Sequence, residues 1–444
     1  MAFHPFPSPL TRPRRSLVAV TLVAVAGLGA MQATAASPAP EHVSPSREGF
    51  SAERLARIDA RMEEAVNAGV MAGGHGLIAR NGKVVYDQVW GAADREAGRP
   101  MEHDTLHRIY SMSKPITTVA LLMLYEEGHF LLQDPIDRYL PEFGDLQVLE
   151  VRDDGSQALS PARPPTIRDL LRHTAGFSYG VFGDSEVDRL YREAALFRAP
   201  DLEEFTRRLA TLPLQSQPGT RWQYSVSVDV QGRLIEAISG LSLGEFLQER
   251  IFEPLGMKDT FFVVPPEKQS RLAQLYAPVG NRASWDGQWQ WTTEQALEPA
   301  DPELSRGFLD GSGFESGGGG LVSTTYDYLR FALMLAGDGA YNGVRLLSPH
   351  TVEHLRRNHI QDVASDDLYG VEAFGLGVSI TLDPAAVSGE LGAAGTYGWG
   401  GAAGTTFWID PENDVVGIFM VQSLPHQTSL KTRFGVLTYQ ALLE

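Results

Sequence analysis

SMSKPITTVALLMLYEEGH, residues 111–129, reads as one helix: Val119 to Tyr125 is nearly continuous apolar, and Gly128 marks the end. A segment apolar all round predicts a helix buried between layers. Before it, Phe50 to Ala68 repeats Leu55, Ile58, Met62 and Val66 at helical spacing behind a capping Ser51. His75–Arg80 and Lys83–Trp90 follow as strands joined by Asn81-Gly82, the pair suited to a two-residue type I′ turn. Downstream, Thr166–Arg172, Asp201–Leu212 and Val228–Ile238 read as helices. Thr405–Asp410 and Val415–Val421 read as strands around the turn Pro411–Asp414, with a closing helix from His426. Strand formers therefore gather at both ends and helices fill the middle. The pattern predicts an α/β (α+β) fold, an antiparallel sheet flanked by helices with a helical domain inserted in the chain.

The 444 residues carry 43% hydrophobic and 21% charged side chains, ordinary values for a globular protein with a large core. A formal charge of −18 argues against nucleic acid, whose phosphates need clustered Lys and Arg. There is no cysteine, which excludes disulfides, thiolate metal sites and a Cys nucleophile. Arg12, Arg14 and Arg15 precede an apolar run from Leu17 to Ala30, and Ala33-Thr34-Ala35 offers a small-residue cleavage site. That order predicts a signal peptide over 1–35 and an exported, periplasmic or secreted protein. The run is short for a bilayer span, so no stable membrane span is expected once the leader is removed. Residues 36–48 read as a tether and 49–444 as the folded part. The sheet portion falls at about 49–110 and 315–444, and the helices and loops at about 111–314. Residues 144–165 read as a surface insertion, and 265–316, with Trp285, Trp289 and Trp291, as a long loop region walling a cleft.

Ser111 and Lys114 stand three apart on the predicted helix and so share a face. A serine hydroxyl is a poor nucleophile until a base takes its proton. Backbone N–H groups at a helix start favour an oxyanion, and partial burial would let a lysine act as a neutral amine. The chain has only five lysines, and Lys114 alone follows a serine by three. Tyr224, in Pro218-Gly219-Thr220-Arg221-Trp222-Gln223-Tyr224-Ser225, offers a phenol to shuttle the proton from serine to leaving group. Gly398-Trp399-Gly400-Gly401-Ala402-Ala403-Gly404 leads into a strand. Its small residues would let substrate lie along a sheet edge, with one backbone N–H, that of Ala402, completing an oxyanion hole with that of Ser111.

S-x-x-K, then Y-S after a P-G-T element, then W-G-G before the last strands, resembles the class C β-lactamase and family VIII carboxylesterase group. Thr166 to Gly176 looks like that group's helix and H-T-[SA]-G turn. Gly317-Gly318-Gly319-Gly320-Leu321-Val322-Ser323-Thr324 looks like its glycine-rich entry to a later helix, and Leu255-Gly256-Met257 like a further landmark. The resemblance runs from about residue 50 to the C-terminus and implies a β-lactamase/transpeptidase-like fold. β-Lactamases and DD-peptidases of the group have Y-x-N, where this chain has Val226, and K-T-G or H-T-G, where it has Trp399-Gly400-Gly401. The missing cation would hold a β-lactam or stem-peptide carboxylate, and the missing Asn an acyl-side amide. Both losses point to esters and the esterase branch.

Gly176-Phe177-Ser178-Tyr179-Gly180 fits the G-x-S-x-G nucleophile elbow, but no buried strand precedes it, so Ser178 is not expected to be the nucleophile. Tyr179 is expected to line the substrate cleft, and His173 to be a turn residue. No H-E-x-x-H or comparable ligand run exists, so neither metal nor other cofactor is expected. The expectation is a serine hydrolase acting on a small-molecule ester, with Ser111, Lys114 and Tyr224 as its machinery and Trp399, Gly400, Gly401 and Ala402 at the substrate. Two alternatives stay open: a β-lactamase or DD-peptidase with altered motifs, and a non-catalytic penicillin-binding-like protein. The oligomeric state is not legible.

Overall fold

The computed structural model describes residues 39–152, 154–280, 296–364, 373–387, 391–426 and 428–444. The leader reading and Trp285, Trp289 and Trp291 lie outside them. Among the described residues no helix is long and apolar enough to cross a membrane.

Eight strands form one antiparallel sheet: β1 (Gly73–Arg80), β2 (Lys83–Asp94), β3 (Arg99–Pro100), β4 (Ala373–Phe374), β5 (Ser379–Ile380), β6 (Tyr397–Gly400), β7 (Thr406–Asp410) and β8 (Val415–Val421). Their order is β4-β5-β6-β7-β8-β1-β2-β3. The first and last strands of the chain meet in the middle, where Leu77 pairs with Ile418 and Ile78 with Gly417. The β1–β2 turn is the expected one, with Asn81 and Gly82 both at positive φ, 51° and 75°.

The two sheet faces take different covers because strand side chains alternate. Ile78, Trp90 and Phe419 face helix α1 (Ala52–Asn67) and the C-terminal helix (Leu430–Tyr439), joining Leu55, Ile58, Met62 and Phe434 in one apolar cluster. Leu77, Phe407, Ile418 and Met420 face the helical body. Ser51 caps α1 by accepting the Arg54 N–H, as its sequence suggests. The C-terminal helix starts four residues later than expected, at Leu430.

Helix α2 (Ser113–Glu126) carries the fold-deciding stretch, and Ser113 to Leu124 is buried at every position. It does not begin at Ser111: a single 3-10 turn, Tyr110–Met112, precedes it. Helix α3 (Ile167–Leu171) opens with a capping box between Thr166 and Asp169. Helix α4 (Ser227–Ser239) packs beside α2, and helix α5 (Thr325–Ala336) packs against the sheet. Residues 144–165 hold a small hairpin, Gln147–Val151 with Gln157–Pro161. The described parts of 265–316 hold short elements where a loop was expected: a 3-10 helix at Pro266–Arg271, paired strands Tyr276–Pro278 and Leu297–Pro299, and a helix at Glu303–Asp310. Polar composition concealed these short elements, two of which, Pro266–Arg271 and Glu303–Asp310, have no buried residue.

Candidate active site

The turn carrying Ser111 is held in a strained form. Tyr110 has φ 42°, a left-handed conformation rare for a bulky residue and costing about 1–3 kcal/mol. Its surroundings enforce it. Ile109 N–H donates to Leu321 O at 3.0 Å, Met112 N–H to Ile109 O at 3.0 Å, and the buried Tyr110 ring meets Phe308 edge-on. Met112 O accepts from Tyr328 of α5 at 2.9 Å. Ser111 is thus fixed by backbone on both sides, at the entry to α2.

Lys114 lies one turn on and is 1% exposed. Its Nζ lies 3.2 Å from Ser111 Oγ and 3.2 Å from Tyr179 OH and donates to Gly318 O at 2.6 Å. It also sits 4.7 Å from the Tyr224 ring centroid. Tyr224 OH donates to Ser111 Oγ at 2.8 Å, and Trp399 Nε1 donates to that phenol oxygen at 3.4 Å. The structure therefore gathers Ser111, Lys114, Tyr224, Tyr179 and Trp399 around one hydroxyl. Tyr179 does more than line a wall: it touches Lys114 and stacks on Tyr224 at 5.4 Å between centroids. Burial first, then Tyr224 and Asp229, push its phenol well above the usual range, so it stays protonated.

The end of β6 abuts the Ser111 turn. At Gly401 a Cβ would stand 2.3 Å from Ile109 O, so only glycine permits this approach. Gly401 N–H donates to Thr405 O at 2.7 Å and Gly404 N–H to Gly401 O at 2.9 Å, closing a tight turn. Ala402 sits in that turn, and its N–H has no partner among the described residues. Gly400 is the last residue of β6. On the Tyr179 and Tyr224 side of the site, a cleft of about 410 Å³ is lined by these two residues with Phe182, Asp184, Arg221 and Gln223.

A beta-lactamase family model matches residues 58–439, most of the chain. The chain belongs to the beta-lactamase family. It is 35% identical to Protein Rv1367c of Mycobacterium tuberculosis, over 82% of this chain and 89% of that protein. It is 34% identical to Esterase EstB of Burkholderia gladioli, over 81% and 88%. The solved structure of EstCE1, described as a hydrolase with promiscuous acyltransferase activity, superposes with a TM-score of 0.69 at 26% identity, covering 88% of this chain and 99% of that one. The fold is beta-lactamase-like, and the protein is a serine hydrolase with esterases among its relatives.

Within this family's frame, Val226 is fully buried at the start of α4 and presents no amide to the cleft. Ser227 Oγ is engaged with Ser225 Oγ at 2.8 Å. Ser178 is buried, bonded to Asp188 and to Gly180 N–H, and lies in no strand-to-helix elbow. His173 is the expected turn residue, at φ 55°, and its ring backs Tyr224 at 5.0 Å. Burial, and then Lys114, hold its pKa well below the ordinary value and keep it neutral.

Asp229 went unnoticed in the sequence. It is fully buried on α4, and its Oδ1 accepts from Ser316 Oγ at 2.6 Å and Gly318 N–H at 3.1 Å. Burial raises its carboxyl, opposed by Ser316, Lys114 and Gly318. The available signal was an acid set directly between Val228 and Val230 at the start of the helix. The glycine run has a spatial reason as well: a Cβ on Gly318 would stand 2.7 Å from Asp229 Oδ2, and one on Gly317 2.9 Å from Thr117.

Proposed function

We propose that this hydrolase cleaves carboxylic esters of small acyl groups through an acyl-enzyme on Ser111. The observation that carries this reading is the Ser111 hydroxyl held at once by Lys114 Nζ and Tyr224 OH. In the reaction, Lys114 as a neutral amine, assisted by Tyr224, takes the Ser111 proton while Oγ bonds the ester carbonyl carbon. The N–H groups of Ser111 and Ala402 stabilise the oxyanion. The C–O bond to the alcohol then breaks, and the alcohol leaves with a proton from Tyr224. Water, activated by the same pair, attacks the acyl-enzyme and releases the acid and Ser111.

An ester substrate is favoured over a β-lactam because the end of β6 carries Trp399-Gly400-Gly401 where a cation would bind a carboxylate, and because Val226 is buried. The aromatic wall of Tyr179, Phe182, Tyr224 and Trp399 suits an apolar acyl group. The leader over 1–35 adds export to the periplasm or medium to this proposal.

The test compares mature protein and its Ser111→Ala variant on p-nitrophenyl butyrate and nitrocefin. Ester turnover that disappears in the variant, with little nitrocefin cleavage, is the expected result. Dominant nitrocefin turnover moves the protein to the β-lactamase branch. Ester turnover that survives in Ser111→Ala rules out the acyl-enzyme.

A further inference from the structure

The fold assembles a histidine–carboxylate cluster on β1 and β2, three or more strands from β6 and its substrate edge. His75 on β1 is fully buried, and its Nε2 lies 2.7 Å from Asp87 Oδ1 on β2. His103, from the loop after β3, brings its Nε2 to 3.6 Å from the same oxygen, with its ring edge-on to His75 at 5.2 Å. The ligand atoms of all three lie within 4.8 Å of one another. The expectation of no ligand cluster came from local spacing, which cannot register a group drawn from two strands and a loop.

The other oxygen of Asp87 is separately held. Tyr326 OH, in the first turn of α5, donates to Oδ2, and His42 Nε2 stands 3.8 Å from Oδ2 and 2.9 Å from Tyr326 OH. That pair orients the carboxylate so that Oδ1 is turned toward the two remaining imidazoles. His42 arrives on the tether, which pairs with β2 through Val84 N–H to Glu41 O at 2.8 Å and Val43 N–H to Val84 O at 2.9 Å. The His75 ring has its sole bonded nitrogen pointed at the cluster, because Nδ1 is buried without a partner among the described residues.

We propose that His75 Nε2, Asp87 Oδ1 and His103 Nε2 bind a first-row divalent cation of the Zn²⁺ type, with Tyr326 and His42 as the groups that orient Asp87. Two imidazoles and a carboxylate are a common three-protein-ligand set for such ions, and neither Mg²⁺ nor Ca²⁺ favours imidazole. Tetrahedral bonds of about 2.0–2.1 Å place ligand atoms about 3.3 Å apart, so the cluster closes around an ion by side-chain rotation of half-exposed His103. The proton shared by His75 and Asp87 leaves to solvent as the metal takes its place. Tyr326 fixes the carboxylate as outer partners of metal ligands do. The bound ion would fasten β1, β2 and the loop after β3 beneath the tether, a structural role apart from Ser111.

The experiment uses tag-free mature protein, cleared of metal with EDTA and desalted. ZnCl₂ is titrated by calorimetry, and CoCl₂ is followed by visible absorption. One Zn²⁺ per chain is expected, with the intense d–d bands of four-coordinate Co²⁺. His103→Ala, an exposed position outside the catalytic groups, should weaken Zn²⁺ at least about tenfold and erase the Co²⁺ bands while leaving ester turnover unchanged. Tyr326→Phe should weaken binding about 10–100-fold through Asp87 alone. Absence of stoichiometric binding by the parent, or binding undiminished in His103→Ala, overturns the proposal.

Discussion

Asp229 and Lys114 are joined through a single residue: Gly318 donates its N–H to Asp229 Oδ1 and accepts from Lys114 Nζ on its carbonyl, at 3.1 and 2.6 Å. The Asp229 carboxyl thereby holds the glycine run, and with it the seat of the lysine, in place. Asp229→Asn keeps the shape but weakens the bond from Gly318 N–H, and the loosened Gly318 should cost about tenfold or more in kcat. A purely structural Asp229 would lower stability and leave kcat of the folded variant at the parental value.

In the proposed mechanism Tyr224 serves the leaving group as well as Ser111. If its phenol delivers the departing alcohol's proton, the loss in Tyr224→Phe should depend on how much that alcohol needs one. For an ethyl ester the variant should lose about 10²–10⁴-fold in kcat. For a p-nitrophenyl ester, whose leaving group departs as a stable anion, the loss should be clearly smaller. Equal losses on both esters would confine Tyr224 to the activation of Ser111.

The segments that could be read from sequence are those whose local chemistry agrees with their final environment. Ser51 and Thr166 cap the helices they precede, Asn81-Gly82 turns the hairpin, and Val119 to Leu124 is buried all round. Ser111 and Lys114 were legible because one helical turn joins them, and Tyr224 because a recognisable motif surrounds it. What escaped depends on contacts distant in the chain. Tyr110 adopts positive φ because Leu321 and Phe308 hold it there, so Ser111 sits on a 3-10 turn where a helix start was expected. Asp229 looks like an ordinary helical acid until Gly318 is folded against it. His75, Asp87 and His103 share no periodicity that would associate them.

Gly401 tests how closely the end of β6 must approach Ser111. Gly401→Ala sets a methyl between the Thr405 side chain and Ile109 O, and the Ile109 backbone resists movement. Either β6 or the Ser111 turn must then shift by about an ångström, a displacement that costs on the order of 10²-fold when reacting atoms are misplaced. The expected outcome is a folded protein with near-parental circular dichroism, strongly reduced kcat, and slowed labelling of Ser111 by a fluorophosphonate. Parental labelling kinetics would show that the edge has room to spare.

Asp327 supplies a pH test of stability away from the site. It lies in the first turn of α5, accepts from Asp259 N–H at 2.6 Å and Thr260 Oγ1 at 3.1 Å, and is almost fully buried. Burial pushes its carboxyl up to about 6, against the Asp259 N–H bond that lowers it. The folded state therefore holds this proton more tightly than the unfolded chain, whose value is about 3.9. Its contribution to stability is fully present below about pH 4 and is lost as pH rises through about 6. Asp327→Asn cannot titrate, so its urea midpoint relative to the parent should climb between pH 4 and pH 7. An Asn variant that falls further behind the parent over that interval would mean that the ionised carboxylate, holding the Asp259 N–H and Thr260, is the form the fold prefers.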